Sequence, residues 1–203
     1  MARPQIFNRE DALDAAIGCF WSRGFEATSI RDLISEMGIH GPSLYNAFGD
    51  KRGLFIEALQ RYAASTMRER ITRLEGLASP VSAIHAFFQE LTEKSLSDPE
   101  KWGCMIVNTA LDFAAHDEEI REIVSNLLGE IEGFFRRAVQ AANLVELAQQ
   151  KLGPEDMGRL LLGIVIGIRV LARTGATRDV LEGTMRPALA LLGPVAPRGG
   201  SIP

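Results

Sequence analysis

The feature that most constrains this chain is its punctuation. Apolar residues recur three and four apart in short runs, and glycines close the runs at Gly24, Gly38 and Gly49. Ala12, Leu13, Ala16, Ile17 and Phe20 form one stripe, with Asn8 before it as a cap and Gly24 after it as a stop. Thr28 and Ser29 offer the N-cap of a second helix, whose stripe is Ile30, Leu33, Ile34 and Met37. Leu44, Tyr45 and Phe48 mark a short third helix. Asp50 caps a fourth, which runs through Leu54, Phe55, Ala58, Leu59 and Tyr62 and can continue to Leu74, since no breaker precedes Gly76.

The same texture continues. Ser79-Pro80 reads as an N-cap and first turn, followed on one face by Val81, Ile84, Phe87, Phe88 and Leu91. Asp98-Pro99 is a turn. Further helices are expected over about 103–115 and 117–143, from Gly153-Pro154 to Ala172, and, past Gly175, over about 178–192. Ile164-Val165-Ile166 is β-branched, but it lies inside a longer apolar run without turn signals. The expected fold class is therefore all-α, divided as 1–54, 55–193 and a Pro- and Gly-rich tail, 194–203, expected to be disordered.

Composition narrows the function classes. The 203 residues allow one large domain or two small ones. With 22 basic and 26 acidic residues the net charge is −4, which excludes a uniformly basic nucleic-acid coat. It leaves a local nucleic-acid site open, because the field depends on where charges sit. Two cysteines, Cys19 and Cys104, cannot build a disulfide framework and point to a reducing compartment. The first residues lead straight into the charged stretch Arg9, Glu10, Asp11 and Asp14, so no targeting segment is expected. The run Leu160–Ile168, flanked by Arg159 and Arg169, falls short of the ~20 apolar residues of a membrane span. The expectation is a cytoplasmic protein with no membrane partner.

Gly38 lies between two short helices in the pattern of a helix-turn-helix. A helix that enters the ~12 Å major groove must be short, held by few apolar residues and free of negative charge. Between Met37 and Gly49 there is no Asp or Glu; Leu44 and Phe48 can anchor the helix, and His40, Gly41, Ser43, Tyr45, Asn46 and Ala47 remain for outward faces. Over residues 1–61, however, seven bases meet eight acids. Pattern alone leaves two readings open: a DNA-binding head, or a helical interaction module that touches no DNA. The acids lie mainly on the first two helices, and Lys51 and Arg52 open the fourth.

Phe25-Glu26-Ala27-Thr28-Ser29-Ile30-Arg31-Asp32-Leu33, then Met37-Gly38-Ile39, then Pro42-Ser43-Leu44-Tyr45-Asn46-Ala47-Phe48-Gly49-Asp50-Lys51 resembles the DNA-binding region of TetR-family repressors in order, spacing and residue type. The stretch Gly103-Cys104-Met105-Ile106-Val107-Asn108 resembles one broad subgroup. The resemblance implies a helix-turn-helix domain over 1–54 and a helical ligand-binding and dimerisation domain over 55–193. It departs at His40, where the family usually has Ser or Thr, so that more of the capping falls to Ser43. It implies phosphate contacts from Thr28, Ser29, Tyr45 and Lys51, and base contacts from Gly41, Pro42, Ser43 and Asn46, since Asn can read adenine with two hydrogen bonds. Arg31 is either a groove contact or a solvated charge.

A repressor also needs a cavity whose filling shifts a two-state equilibrium. Phe88, Trp102, Cys104, Met105, Asn108, Asp112 and Phe134 are the candidate lining for a small-molecule effector. Cys104 has two readings, a thiol sensor near Lys101 or an inert core residue; Cys19 reads as structural. Asp112, His116 and His85 could approach a metal or simply hydrogen-bond on a helix surface, and neither metal nor cofactor is expected. Between Leu160 and Leu171 the chain is apolar nearly all round, so it must be covered on more than one side. Leu160, Gly163, Ile164, Gly167 and Leu171, with Leu181, Met185 and Leu189, are expected to form a homodimer interface. Such a dimer pairs two reading heads on a palindromic double-stranded operator. No Gly-rich phosphate loop, Gly-x-Ser-x-Gly or paired-Cys motif supports the remaining alternative, a helical enzyme.

Overall fold

The structure, a computed structural model, describes residues 7–113, 115–144, 147 and 151–193, so the expected tail 194–203 lies outside the described residues. Among the described residues every regular element is helical: α1 (Arg9–Ala27), α2 (Ile30–Met37), α3 (Gly41–Phe48), α4 (Lys51–Ala63), α5 (Glu69–Glu75), α6 (Pro80–Leu96), α7 (Met105–Asp112), α8 (Glu118–Ala142), α9 (Pro154–Arg173) and α10 (Arg178–Leu191). A π-helical turn, Ala64–Arg68, joins α4 to α5. No helix among the described residues is long and apolar enough to cross a membrane.

The chain forms two compact units. The first comprises Met1–Thr66 with Cys104–Val124. Here α1 packs against α2, α4 and α7, and α3 rests on α2 and α4. One leucine from each short element closes this core: Leu33, Leu44 and Leu54 have no exposed surface. Each such side chain contributes about 1.5–3 kcal/mol on burial. The helix ends follow the sequence signals. Asn8 Oδ1 accepts from the Glu10 N–H at 3.0 Å. Gly24, at φ 78 and ψ 171, breaks α1 as expected, but one further turn carries the chain to Ala27. Gly38 adopts φ 63 and donates to the Ile34 and Ser35 carbonyls, ending α2 in the left-handed conformation that glycine tolerates best. Three residues later α3 begins.

The second unit comprises Met67–Gly103 with Ser125–Pro203. In it α6 packs on α5, α9 and α10, and α9 packs on α10. Phe87, Phe88, Phe134 and Phe135 form a ring cluster with centroids 5.0–5.9 Å apart. Ser79 caps α6 by accepting from the Ser82 N–H, with Pro80 in the first turn, as its sequence predicts.

Two differences from the sequence reading have local causes. The helix expected from about residue 103 starts only at Met105, because Gly103 sits at φ 76, outside the right-handed helical region. It ends at Asp112, because Phe113 leaves the helix at φ −128; the Phe113 ring stacks on Phe25 with centroids 4.4 Å apart. The helix capped by Asp50, which the sequence allowed to continue past Tyr62 to Leu74, carries the π-helical turn on the way, where one residue too many is absorbed without breaking the apolar stripe Leu59, Ala63, Met67 and Ile71.

Candidate nucleic-acid interface

Helix α3 is built to project. Leu44 and Phe48 are buried while Tyr45 is 50% exposed and Pro42 and Asn46 are exposed on the other side. Ser43 is partly buried, as is Gly41, where an added Cβ would meet Ile34 Cδ1 at 3.5 Å. His40 supplies the N-cap position without a side-chain bond; its carbonyl accepts from the Ser43 and Leu44 N–H groups. Helix α3 carries no acid, so its exposed side offers a phenol hydroxyl, a carboxamide and unburdened backbone, which are groups suited to phosphates and base edges.

The flanking elements sort the expected phosphate contacts. Ser29 is the exposed N-cap of α2, but its hydroxyl belongs to a capping box: Oγ accepts from the Asp32 N–H at 3.1 Å, and Asp32 Oδ2 accepts from the Ser29 N–H at 3.0 Å. The Ser29 hydroxyl, the Ser29 N–H and Arg23 hold the Asp32 carboxyl below its ordinary pKa. Thr28 needs correction. It is fully buried, and its hydroxyl donates to the Gly24 and Cys19 carbonyls at 2.7 and 3.3 Å, so it ties the α1–α2 turn rather than facing a phosphate. Arg31 is exposed. Lys51 opens α4; its ammonium lies 4.3 Å from the Phe25 ring centroid and donates to the Glu26 carbonyl at 3.5 Å.

Sequence reasoning missed two supports of this head. Arg9 reaches Glu57 at 2.5 Å, lies over the Phe48 ring at 4.7 Å and donates to the Ala47 carbonyl, bracing the C-terminal end of α3. Arg52 donates to both oxygens of Asp117 at 2.8 and 3.0 Å and to Glu119 at 2.6 Å. This fork holds the Asp117 carboxyl down at about 2. A sequence separation of 65 residues left no local signal for that pair.

The expected effector residues are divided between the two units. Phe88 and Phe134 belong to the buried ring cluster of the second unit, and Met105 is buried in the first, so these three are core. Trp102 and Cys104 are partly buried. Asn108 and Asp112 do line one cavity of about 150 Å³ in the first unit, walled by Phe20, Phe25, Phe55 and Phe113. Cys19 is buried, which pushes its thiol pKa up. Among the described residues no His, Cys, Asp and Glu cluster could hold a metal ion.

The expected interface residues separate by face. Met157, Leu161, Val165 and Ile168 turn inward from α9, while Leu160 is 43% exposed and Ile164 and Leu171 are partly buried. Gly163 and Gly167 look into open space, with nothing within 4 Å of an added Cβ. On α10, Met185 and Leu189 border a groove of about 410 Å³ beside His85. Leu181 is a further correction: it is fully buried in its own unit and has no surface left for a partner.

Comparison with known proteins agrees with this geometry. Residues 12–58 match the model of bacterial regulatory proteins of the tetR family, and residues 80–188 match that of the tetracyclin repressor-like C-terminal domain. The uncharacterised HTH-type transcriptional regulator YezE of Bacillus subtilis is 30% identical over 95% of this chain and 100% of its own length. The HTH-type transcriptional repressor ComR of Escherichia coli is 29% identical over 88% of this chain and 86% of its own. Among solved structures, a cysteine mutant of the TetR-family regulator CifR, complexed with 26-base-pair operator DNA, shares 32% identity over 93% of this chain and 98% of its own, with a TM-score of 0.79. These matches cover both units of the chain, and the chain belongs to the TetR family of DNA-binding transcriptional regulators.

Proposed function

We propose that this chain is a homodimeric, cytoplasmic repressor that reads a palindromic double-stranded operator with α3 of each copy and leaves it when a small-molecule effector binds or Cys104 is modified. The observation that carries the reading is the outer side of α3, where Tyr45 and Asn46 stand exposed with no acid on the helix. Tyr45 and Lys51 are suited to phosphates, and Asn46, one residue beyond Tyr45, to an adenine edge. The exposed apolar and glycine side of α9 supports a second copy as partner, because a two-fold axis pairs two heads on one site. ComR is named as a repressor and CifR is described with operator DNA; both support the same assignment here. The test is a selection of bound fragments from genomic DNA, run with the natural protein and with Asn46→Ala. A palindromic motif is expected, and the variant should lose discrimination at one or two positions per half-site, at about 1–3 kcal/mol each. An unchanged motif removes Asn46 from base reading, and no enriched motif overturns the function.

A further inference from the structure

The cavity of about 150 Å³ in the first unit includes no residue of α3, and its walls have a definite chemistry. We propose that it binds a small organic cation, a quaternary or similarly compact ammonium. The proposal rests on the reading that this protein answers to a small molecule, and it names the class and the place. An apolar cavity on the order of 150 Å³ takes one benzene-sized body, which sets the scale of the ligand.

The rings of Phe20, Phe25, Phe55 and Phe113 wall it, and aromatic faces attract cations through their quadrupoles. Two carboxylates, Glu26 and Asp112, complete the lining; both residues are exposed, and among the described residues neither is in an ion pair. Arg23 also lines the cavity, but Asp32 engages it at 3.1 Å. Lys51, on the Phe25 ring, offsets one of these two carboxylates and leaves the other unbalanced beside the aromatic rings. An anionic guest would meet like charge there and a neutral one would gain nothing from it, whereas a cation is attracted both by the carboxylates and by the rings.

The same ring system already holds one cation. Lys51 Nζ lies 4.3 Å from the Phe25 centroid. Phe113 stacks on Phe25 at 4.4 Å and 14°, so the ammonium occupies the face that Phe113 leaves open. A guest in the cavity contacts the Phe25–Phe113 stack, since both rings line it. Lys51 is seated on the same Phe25 ring, so a guest that shifts that ring shifts the ammonium with it. Occupancy and DNA grip are then linked through Phe25 with no contact between guest and DNA.

The experiment is calorimetry on the full chain without DNA, titrating tetramethylammonium chloride, with tert-butanol as a neutral body of similar shape and ionic strength matched with sodium chloride. Saturable binding of tetramethylammonium is expected, with tert-butanol weaker by at least about tenfold. Asp112→Asn and Glu26→Gln should each weaken it several-fold while leaving the melting of the unliganded protein in place, since both side chains are exposed. No saturable heat, equal binding of tert-butanol, or variants that bind as well as the natural protein would each overturn the proposal. In a second arm, tetramethylammonium at the saturating concentration should weaken binding to the selected genomic fragments. Unchanged DNA affinity in that arm leaves the site standing and overturns its link to release. The affinity of the unliganded protein for the same fragments reports separately on the regulator reading.

Discussion

Lys51 is held in two ways before any DNA arrives: its charge rests on the Phe25 ring and its ammonium reaches the Glu26 carbonyl. Neither partner is an acid, so the ammonium is preoriented and left available for the phosphate contact proposed above. Lys51→Ala should weaken binding to all duplexes about equally and lower the salt slope by about 1, as measured by anisotropy across a salt series. An unchanged slope would take Lys51 out of the interface. Its neighbour Arg52 behaves differently, since Asp117 and Glu119 satisfy it inside the protein. The Asp117 pKa falls from 3.8 to about 2, so the folded state favours the ionised acid. The stability contributed by this pair is complete above the ordinary carboxylate range and is lost as pH falls toward about 2. Arg52→Gln should therefore be less stable than the natural protein at neutral pH. Denaturant titrations at descending pH should show that gap closing between about pH 4 and pH 2. A gap that is constant with pH would mean the arginine acts by packing alone.

Among the elements, α2 shows best how sequence becomes structure. Eight residues are too few for a stable isolated helix, so its ends matter. Ser29→Ala removes the cap at Asp32 N–H and should cost about 1 kcal/mol in chemical denaturation. A variant as stable as the natural protein would show that tertiary packing alone holds α2. The same element marks what was legible. Gly38, the apolar spacing around it and Leu44 with Phe48 place the helix-turn-helix from the sequence, because each signal lies within a few residues of its effect. Choosing between Thr28 and Ser29 was not legible: the two hydroxyls are adjacent, and only the fold shows Thr28 turned inward to Gly24 and Cys19. Phe88 and Phe134 failed for a related reason. Composition reports that a ring is apolar, not whether other rings fill the space it faces. Arg52–Asp117 and the Phe25–Phe113 stack join residues far apart in the chain, where no periodicity reaches.

At the scale of the whole molecule, the glycines of α9 give the sharpest prediction. Each costs about 1 kcal/mol of helix propensity relative to Ala, and nothing in the protomer needs the space they leave. Gly167→Leu should therefore leave the protomer folded and at least as stable, yet overpack a close approach between copies by about 1–3 kcal/mol. Sedimentation velocity over a concentration series should show a weaker dimer, and operator affinity should fall with it through lost effective concentration. A variant that dimerises normally would refute the proposed contact. The charges of the head have a consequence for how such a protein finds its site. Arg9, Arg23, Arg52 and Arg61 are each committed to acids of the same unit, and among its described residues this leaves Arg31 and Lys51 as bases in no ion pair. Two such charges among the described residues of each head release few counterions, so their grip on random sequence should be weak and only mildly salt-dependent. A molecule of that kind slides little. It searches the genome by repeated brief collisions through solution, and its occupancy follows the number of good sites rather than the bulk of DNA around them.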